Sequence, residues 1–92
     1  SSYYVDKAIV SCKALDTEKG IMDSVELFSA AKQAMLNSSR QRILAVDSSK
    51  FDTTAFSKLA DIRMVDTVVT DAKPSQHWLD YFEECGVKCY YP

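Results

Sequence analysis

The sequence predicts an α/β fold built on a parallel sheet of about four strands, with helices on its faces. Three observations predict it. First, short apolar runs stop abruptly at polar residues: Ala8-Ile9-Val10 before Ser11-Cys12-Lys13, Arg42-Ile43-Leu44-Ala45-Val46 before Asp47-Ser48-Ser49-Lys50, and Thr67-Val68-Val69 before Thr70-Asp71. Strands covered on both faces read as continuous apolar runs of this kind. Second, stretches of helical periodicity separate the runs, and such alternation implies right-handed crossovers between parallel strands. Third, open α/β sheets bind ligands beyond the carboxyl ends of their strands. The polar residues that close each run therefore define one candidate edge.

In order along the chain, residues 5–10 form the first strand and residues 11–22 a loop containing Gly20. Asp23 opens a helix, because Asp23-x-x-Glu26 has the form of a capping box. Leu27, Phe28, Ala31, Ala34 and Met35 recur at three- and four-residue steps and give it one apolar stripe. Asn37-Ser38-Ser39 ends it, and residues 42–46 form the second strand. After the turn at 47–50, residues 53–59 read as a short helix, and residues 66–70 as the third strand. Ser75 is placed to cap a helix whose stripe is Trp78, Leu79, Phe82 and Cys85. Gly86 stands where a left-handed residue closes a helix, and residues 87–91 form the fourth strand. Trp78, Phe82, Phe28 and Phe56 are read as core packing.

The 92 residues make one domain at most. A chain this short buries roughly 60–65% of its unfolded surface, so its core is small. Its net charge is −2, with eleven basic and thirteen acidic residues. That balance argues against a nucleic-acid grip, which needs clustered Lys and Arg. No run is long enough to span a membrane, and no signal peptide is visible. Cys12, Cys85 and Cys89 read as reduced thiols of a cytoplasmic protein. With His77 they lack the close Cys spacing of a zinc site, and no cofactor is implied.

A resemblance adds to this reading. Asp6-Lys7-Ala8-Ile9, Glu18-Lys19-Gly20-Ile21 with Asp23 and Glu26, Lys32 with Met35, Asp47-Ser48-Ser49-Lys50-Phe51, and Val65-Asp66-Thr67-Val68-Val69-Thr70-Asp71 resemble the C-terminal sensor domain of DeoR-type transcriptional repressors. The Asp-Ser-Ser-Lys-Phe stretch after an apolar strand is the most specific element. The resemblance implies a three-layer α/β/α, Rossmann-like fold related to ribose-5-phosphate isomerase. It implies that residues 1–92 are the C-terminal part of such a sensor, with the DNA-binding winged helix-turn-helix absent from this chain. It further implies a phosphorylated sugar or sugar-derived effector, operator DNA reached only through the missing part, no membrane, and a homo-oligomer. A partial domain is expected to leave an unpaired strand edge or an uncovered apolar face.

The candidate ligand-binding residues are Lys13, Asp47, Ser48, Ser49, Lys50 and Asp71. Lys50 offers a phosphate a compact positive charge, or else is a loop lysine paired with Asp47 or Asp52. Asp47 accepts sugar hydroxyls or caps its own turn. Ser48 and Ser49 offer hydroxyls and a modest anion nest, or plain turn chemistry. Lys13 shares the edge if its strand neighbours the second. Asp71 binds hydroxyls or balances the lysines. Lys32 is marked by the resemblance, but its helical face is ambiguous.

Two classes compete: a sensor domain and a small phosphosugar isomerase or transferase of the related fold. Aligned with such isomerases, the positions of the strand-end aspartates fall near Val10 and Lys13, and that of the glutamate base at Ala31. None of these side chains is a carboxylate base. The glycine-rich phosphate loop is reduced to Gly20. The expectation is a domain that binds without turning its ligand over.

Overall fold

The computed structural model describes residues 5–92. The chain runs β1 (Val5–Val10), β2 (Ala14–Asp16), β3 (Gly20–Asp23), α1 (Glu26–Asn37), β4 (Ser39–Ala45), β5 (Ser57–Ala60), β6 (Thr67–Val69), α2 (Gln76–Cys85) and β7 (Lys88–Tyr90). Single 3-10 turns occupy Ser48–Lys50 and Ile62–Met64. The main sheet has the order β1-β4-β6-β7, and every pair in it is parallel. A second, antiparallel sheet has the order β2-β3-β5. The expected four-stranded parallel sheet is thus present.

The three-layer arrangement is not. Each parallel strand is added on the same side of the one before it. Right-handed crossovers that always step in one direction lie on one face of the sheet. Val10 pairs with Leu44, Leu44 with Val68, and Val68 with Cys89, forming a row under both helices. Val10, Leu44 and Val68 join Leu36 of α1 and Trp78 and Phe82 of α2 in one core. The opposite row, Ile9–Ile43–Thr67–Lys88, has no helix over it among the described residues, and Ile9 is 63% exposed. The described residues therefore form a two-layer body with one sheet face that no helix covers.

Residues 11–22 are not a loop but contain the β2–β3 hairpin, which leaves the carboxyl end of β1 where the Lys13 amide donates to the Met22 carbonyl. The Asp16 carboxylate closes the turn by accepting from the Glu18 and Lys19 amides at 3.0 and 2.8 Å. Gly20 follows with φ +85°, and a Cβ there would lie 2.7 Å from the Ala60 carbonyl. Gly20 is thus needed for close approach to β5 rather than for a phosphate loop. Strands of three or four residues carry too little alternation to be seen in sequence.

The expected helix at 53–59 is instead irregular chain over residues 53–56 that runs into β5. Thr53 and Thr54 disfavour a helix, and the unpaired edge of β3 supplies ladder partners. Phe56 is not core: it is 86% exposed. Helix α1 starts at Glu26 with Val25 at its N-cap position, which has no capping side chain. The capping box fails because Asp23 ends β3 and is engaged elsewhere. The α1 stripe also faces the other way. Leu27 is 77% exposed, Phe28 and Met35 are about half exposed, and Ala31 and Ala34 are exposed. The inward side carries Ser29, Lys32, Gln33 and Leu36.

Helix α2 follows expectation. The Ser75 hydroxyl accepts from the Trp78 amide at 3.3 Å, and Gly86 closes the helix at φ +71°. Trp78, Phe82 and Phe51 pack as tilted and edge-on aromatic pairs with centroids 4.9–6.2 Å apart. Burial of this trio contributes several kcal/mol, since truncating one such ring to Ala costs about 3–5 kcal/mol.

The two left-handed glycines give a paired test. Gly20→Ala meets both an unfavourable φ and a backbone oxygen, whereas Gly86→Ala meets only the φ, with open space around the added Cβ. Urea unfolding should show Gly20→Ala destabilising by about 2–3 kcal/mol and Gly86→Ala by about 1 kcal/mol. Equal costs would mean that the β3–β5 approach is not tight.

Candidate functional site

The carboxyl edge of the main sheet gathers most of the polar chemistry. Because β1 and β4 are neighbours, Ser11-Cys12-Lys13 and residues 47–50 leave the sheet side by side. Asp71 follows β6, the next strand along. All six sequence-predicted residues therefore lie at one edge.

Their contacts divide them. The Asp47 carboxylate caps its own turn, accepting from the Ser49 amide at 2.9 Å and from the Ser49 hydroxyl in a short contact. These two bonds, hydroxyl first, and the Lys50 ammonium at 3.5 Å hold Asp47 below the ordinary carboxylate range. Asp71 reaches across from the next strand and accepts the Ser48 amide at 2.7 Å. The Lys50 and Phe51 amides donate to the Asp47 and Ser48 carbonyls. Every amide from Ser48 to Phe51 is thus engaged within the protein. The expected anion nest at Ser48 and Ser49 already holds two carboxylates. Of the polar side chains in the turn, the Ser49 hydroxyl and the Lys50 ammonium are turned to Asp47, and the Ser48 hydroxyl makes no side-chain hydrogen bond among the described residues. Lys50 is half-buried, and Lys13 is exposed and forms no ion pair among the described residues.

Lys32 and Asp23 belong to the same edge, and composition did not single them out. The Lys32 ammonium donates to the Asp23 carboxylate at 2.6 Å and to the Ser11 carbonyl at 2.9 Å. It so ties α1 to the end of β3 and to the exit of β1. Asp23 is buried. Burial raises its pKa, but the Lys32 hydrogen bond, the Ser24 amide and the Lys32 and Lys13 charges outweigh that and hold it below the usual range. Between these groups the buried Cys12 thiol is pushed up to about 11, chiefly by burial, with Asp23 adding and Lys32 and Lys50 opposing. A thiol so protonated is inert at neutral pH. The inward position of Lys32 was not recoverable from the helical pattern, because the apolar stripe of α1 faces outward.

The edge is open. Grooves of about 440 Å³ between α1 and β5, and of about 480 Å³ on the bare sheet face, are lined by none of the six residues. Among the described residues no cluster of three or more His, Cys, Asp or Glu is arranged to hold a metal ion. None of the described helices is long and apolar enough to cross a membrane.

Comparison with known proteins decides the family. A family profile described as the DeoR C terminal sensor domain matches residues 1–72. The chain belongs to the DeoR C-terminal sensor domain family. Over 88 residues it is 33% identical to the HTH-type transcriptional repressor GlcR of Bacillus subtilis, a span of 96% of this chain and 34% of that protein. It is 30% identical over 81 residues to the L-fucose operon activator of Haemophilus influenzae, covering 88% of this chain and 32% of the relative. It is 32% identical over 74 residues to the glycerol-3-phosphate regulon repressor of Escherichia coli, covering 80% of this chain and 29% of the relative. The chain thus spans about a third of the length of these relatives. The family is one of sensor domains and these relatives are transcriptional regulators, so this DeoR-family chain is a sensor segment and not an enzyme.

The Asp23–Lys32 pair yields a pH-dependent prediction. Asp23 has a folded pKa below its unfolded value, so its contribution is fully present above about pH 4 and is lost as pH falls through the folded pKa. Asp23→Asn should lower stability by about 1–3 kcal/mol at pH 7, a figure reduced from that of fully buried pairs because Lys32 is partly exposed. Urea denaturation of both proteins from pH 7 to pH 3 should show the two stability curves converging at the acid end. Curves that stay parallel would assign the loss to packing instead.

Proposed function

We propose that this chain is the effector-sensing part of a DeoR-type transcriptional repressor of sugar metabolism, and that its carboxyl edge binds a phosphorylated sugar or related metabolite. The observation that carries the reading is the parallel pairing of β1 with β4, which puts Lys13 and Lys50 on one edge. Two ammonium groups from adjacent strands suit a dianion, each as a strongly hydrated point charge. The Ser48 and Ser49 hydroxyls lie within the same turn. The remaining lone pairs of Asp47 and Asp71 suit sugar hydroxyls, while the oxygens that cap the turn keep it rigid.

The same contacts favour sensing over catalysis. Asp23 and Asp47 are held below the ordinary carboxylate range, which makes them weak bases. Asp71 is committed to the Ser48 amide. An isomerase needs a carboxylate poised near neutrality, and Asp23 and Asp47 are shifted the opposite way. In the whole regulator, operator DNA is met by a winged helix-turn-helix outside this chain, in a cytoplasmic homo-oligomer. The effector shifts the arrangement of subunits by binding one arrangement more tightly than the other.

The test is calorimetric titration of the longest native protein containing this chain with inorganic phosphate, sugar monophosphates and the corresponding free sugars. Lys50→Ala should weaken the phosphorylated ligand about tenfold or more, the loss of one charge-assisted bond of about 1.5–3 kcal/mol, with little effect on the free sugar. Lys13→Ala should act in the same direction. Arg40→Ala, at the amino end of β4, is the control. A time course should show the ligand unconsumed. Unchanged affinity in both lysine variants would place the phosphate elsewhere, and turnover would restore the isomerase reading.

A further inference from the structure

The lysine-bearing turn is held at both ends by one neighbouring segment. At its start, the Ser48 amide is bonded by Asp71, which follows β6. At its end, the Asp52 carboxylate accepts the indole N–H of Trp78 at 3.0 Å, from the first turn of the adjoining α2. Between these clasps, the Phe51 ring meets the Trp78 ring edge-on at 4.9 Å. Asp52 makes this reach from a left-handed backbone with φ +60°, a conformation that β-branched and bulky residues avoid. The Thr53 hydroxyl then donates to the Lys50 carbonyl at 2.7 Å, fixing the backbone of the lysine itself. Trp78 is buried, so its N–H has to be bonded within the protein, and Asp52 is its partner. It is the only tryptophan of the chain.

We infer that Asp52 and Trp78 are positioning residues for the effector site: their bond, with the Asp71 clasp, holds the 48–50 turn so that the Lys50 ammonium and serine hydroxyls face the ligand. The inference rests on the effector reading of the edge for its ligand, but the bond's effect on the turn is independent of any ligand. It also gives α2 a direct share in the site, since a ligand that shifts Lys50 pulls on Trp78 through Asp52 and Phe51. Bond and backbone separate by substitution. Asp52→Gly accepts the left-handed backbone without strain but has no acceptor. Asp52→Asn accepts that backbone and keeps an acceptor oxygen. Trp78→Phe keeps the aromatic packing and loses the N–H.

The experiment measures amide hydrogen exchange at Ser48, Ser49 and Lys50, and then affinity for inorganic phosphate and sugar monophosphates, in the longest native protein containing this chain. Exchange at the turn should quicken about tenfold in Asp52→Gly and Trp78→Phe, while the Leu44 amide in the core of β4 is unchanged. Phosphate-ligand affinity should fall roughly three- to tenfold in the same two variants, and Asp52→Asn should restore both quantities. Wild-type exchange at the turn in both Asp52→Gly and Trp78→Phe overturns the inference. So does faster exchange with unchanged affinity, because the bond would then hold the turn without positioning the site. If the unsubstituted protein binds none of the probes, the effector reading fails instead, and the exchange measurement alone decides whether the bond holds the turn.

Discussion

Everything at the polar edge depends on the in-register parallel pairing of β1 with β4. Val10 lies opposite Leu44, and from that register the two strands end together. A slip of β1 by one residue would turn Val10 out of the core, because side chains alternate between faces with period two. The hydrophobic row Val10–Leu44–Val68 thus sets the register, and the register sets where Lys13 and residues 47–50 emerge. Chemistry at the edge is a consequence of packing beneath it.

The edge is close to self-satisfied in charge and hydrogen bonding. Lys32 meets Asp23, Lys50 meets Asp47, and Asp71 meets a backbone amide. Buried polar groups cost free energy unless bonded, and none of the described buried side-chain polar atoms is without a partner. Such pairing adds little net stability when compared with apolar packing. It does fix the positions of Lys50, Lys32 and the Ser11 carbonyl independently of the ligand proposed for this edge. A pre-organised site spends less of its binding free energy on ordering side chains.

Among the described residues two apolar surfaces remain uncovered: the face of the main sheet around Ile9 and Val69, and the outer face of α1 at Leu27, Phe28 and Met35. Contiguous exposed apolar surface of this kind marks a contact face or an aggregation liability. Charged residues moderate the sheet edges. Asp6 and Lys7 lie on β1, Lys88 lies on β7, and Arg40, beside β1 on β4, meets Asp6 at 3.7 Å. Charge on an edge strand discourages pairing with another chain.

By itself, the sequence determined the four parallel strands, both main helices, the Ser75 cap, the Gly86 stop and the polar character of the strand ends. Each has a local cause: continuous apolar runs, a hydroxyl one residue before a helix, a glycine where φ must be positive. Tertiary structure alone decided the rest. Strand order β1-β4-β6-β7 put both helices on one face, and no local pattern encodes strand order. The β3–β5 pairing that completes the second sheet joins segments far apart in sequence, against the weak helical look of residues 53–59. An apolar stripe says that a helix has two faces, not which one meets the core, so the outward Leu27 and Phe28 and the inward Lys32 were invisible. For the site, residue types and their common edge were legible, because parallel strands that end in polar residues must end on the same side. Which donors were already taken was not, since the Asp71–Ser48, Asp23–Lys32 and Asp52–Trp78 contacts join residues 9 to 26 positions apart that only folding brings within bonding distance.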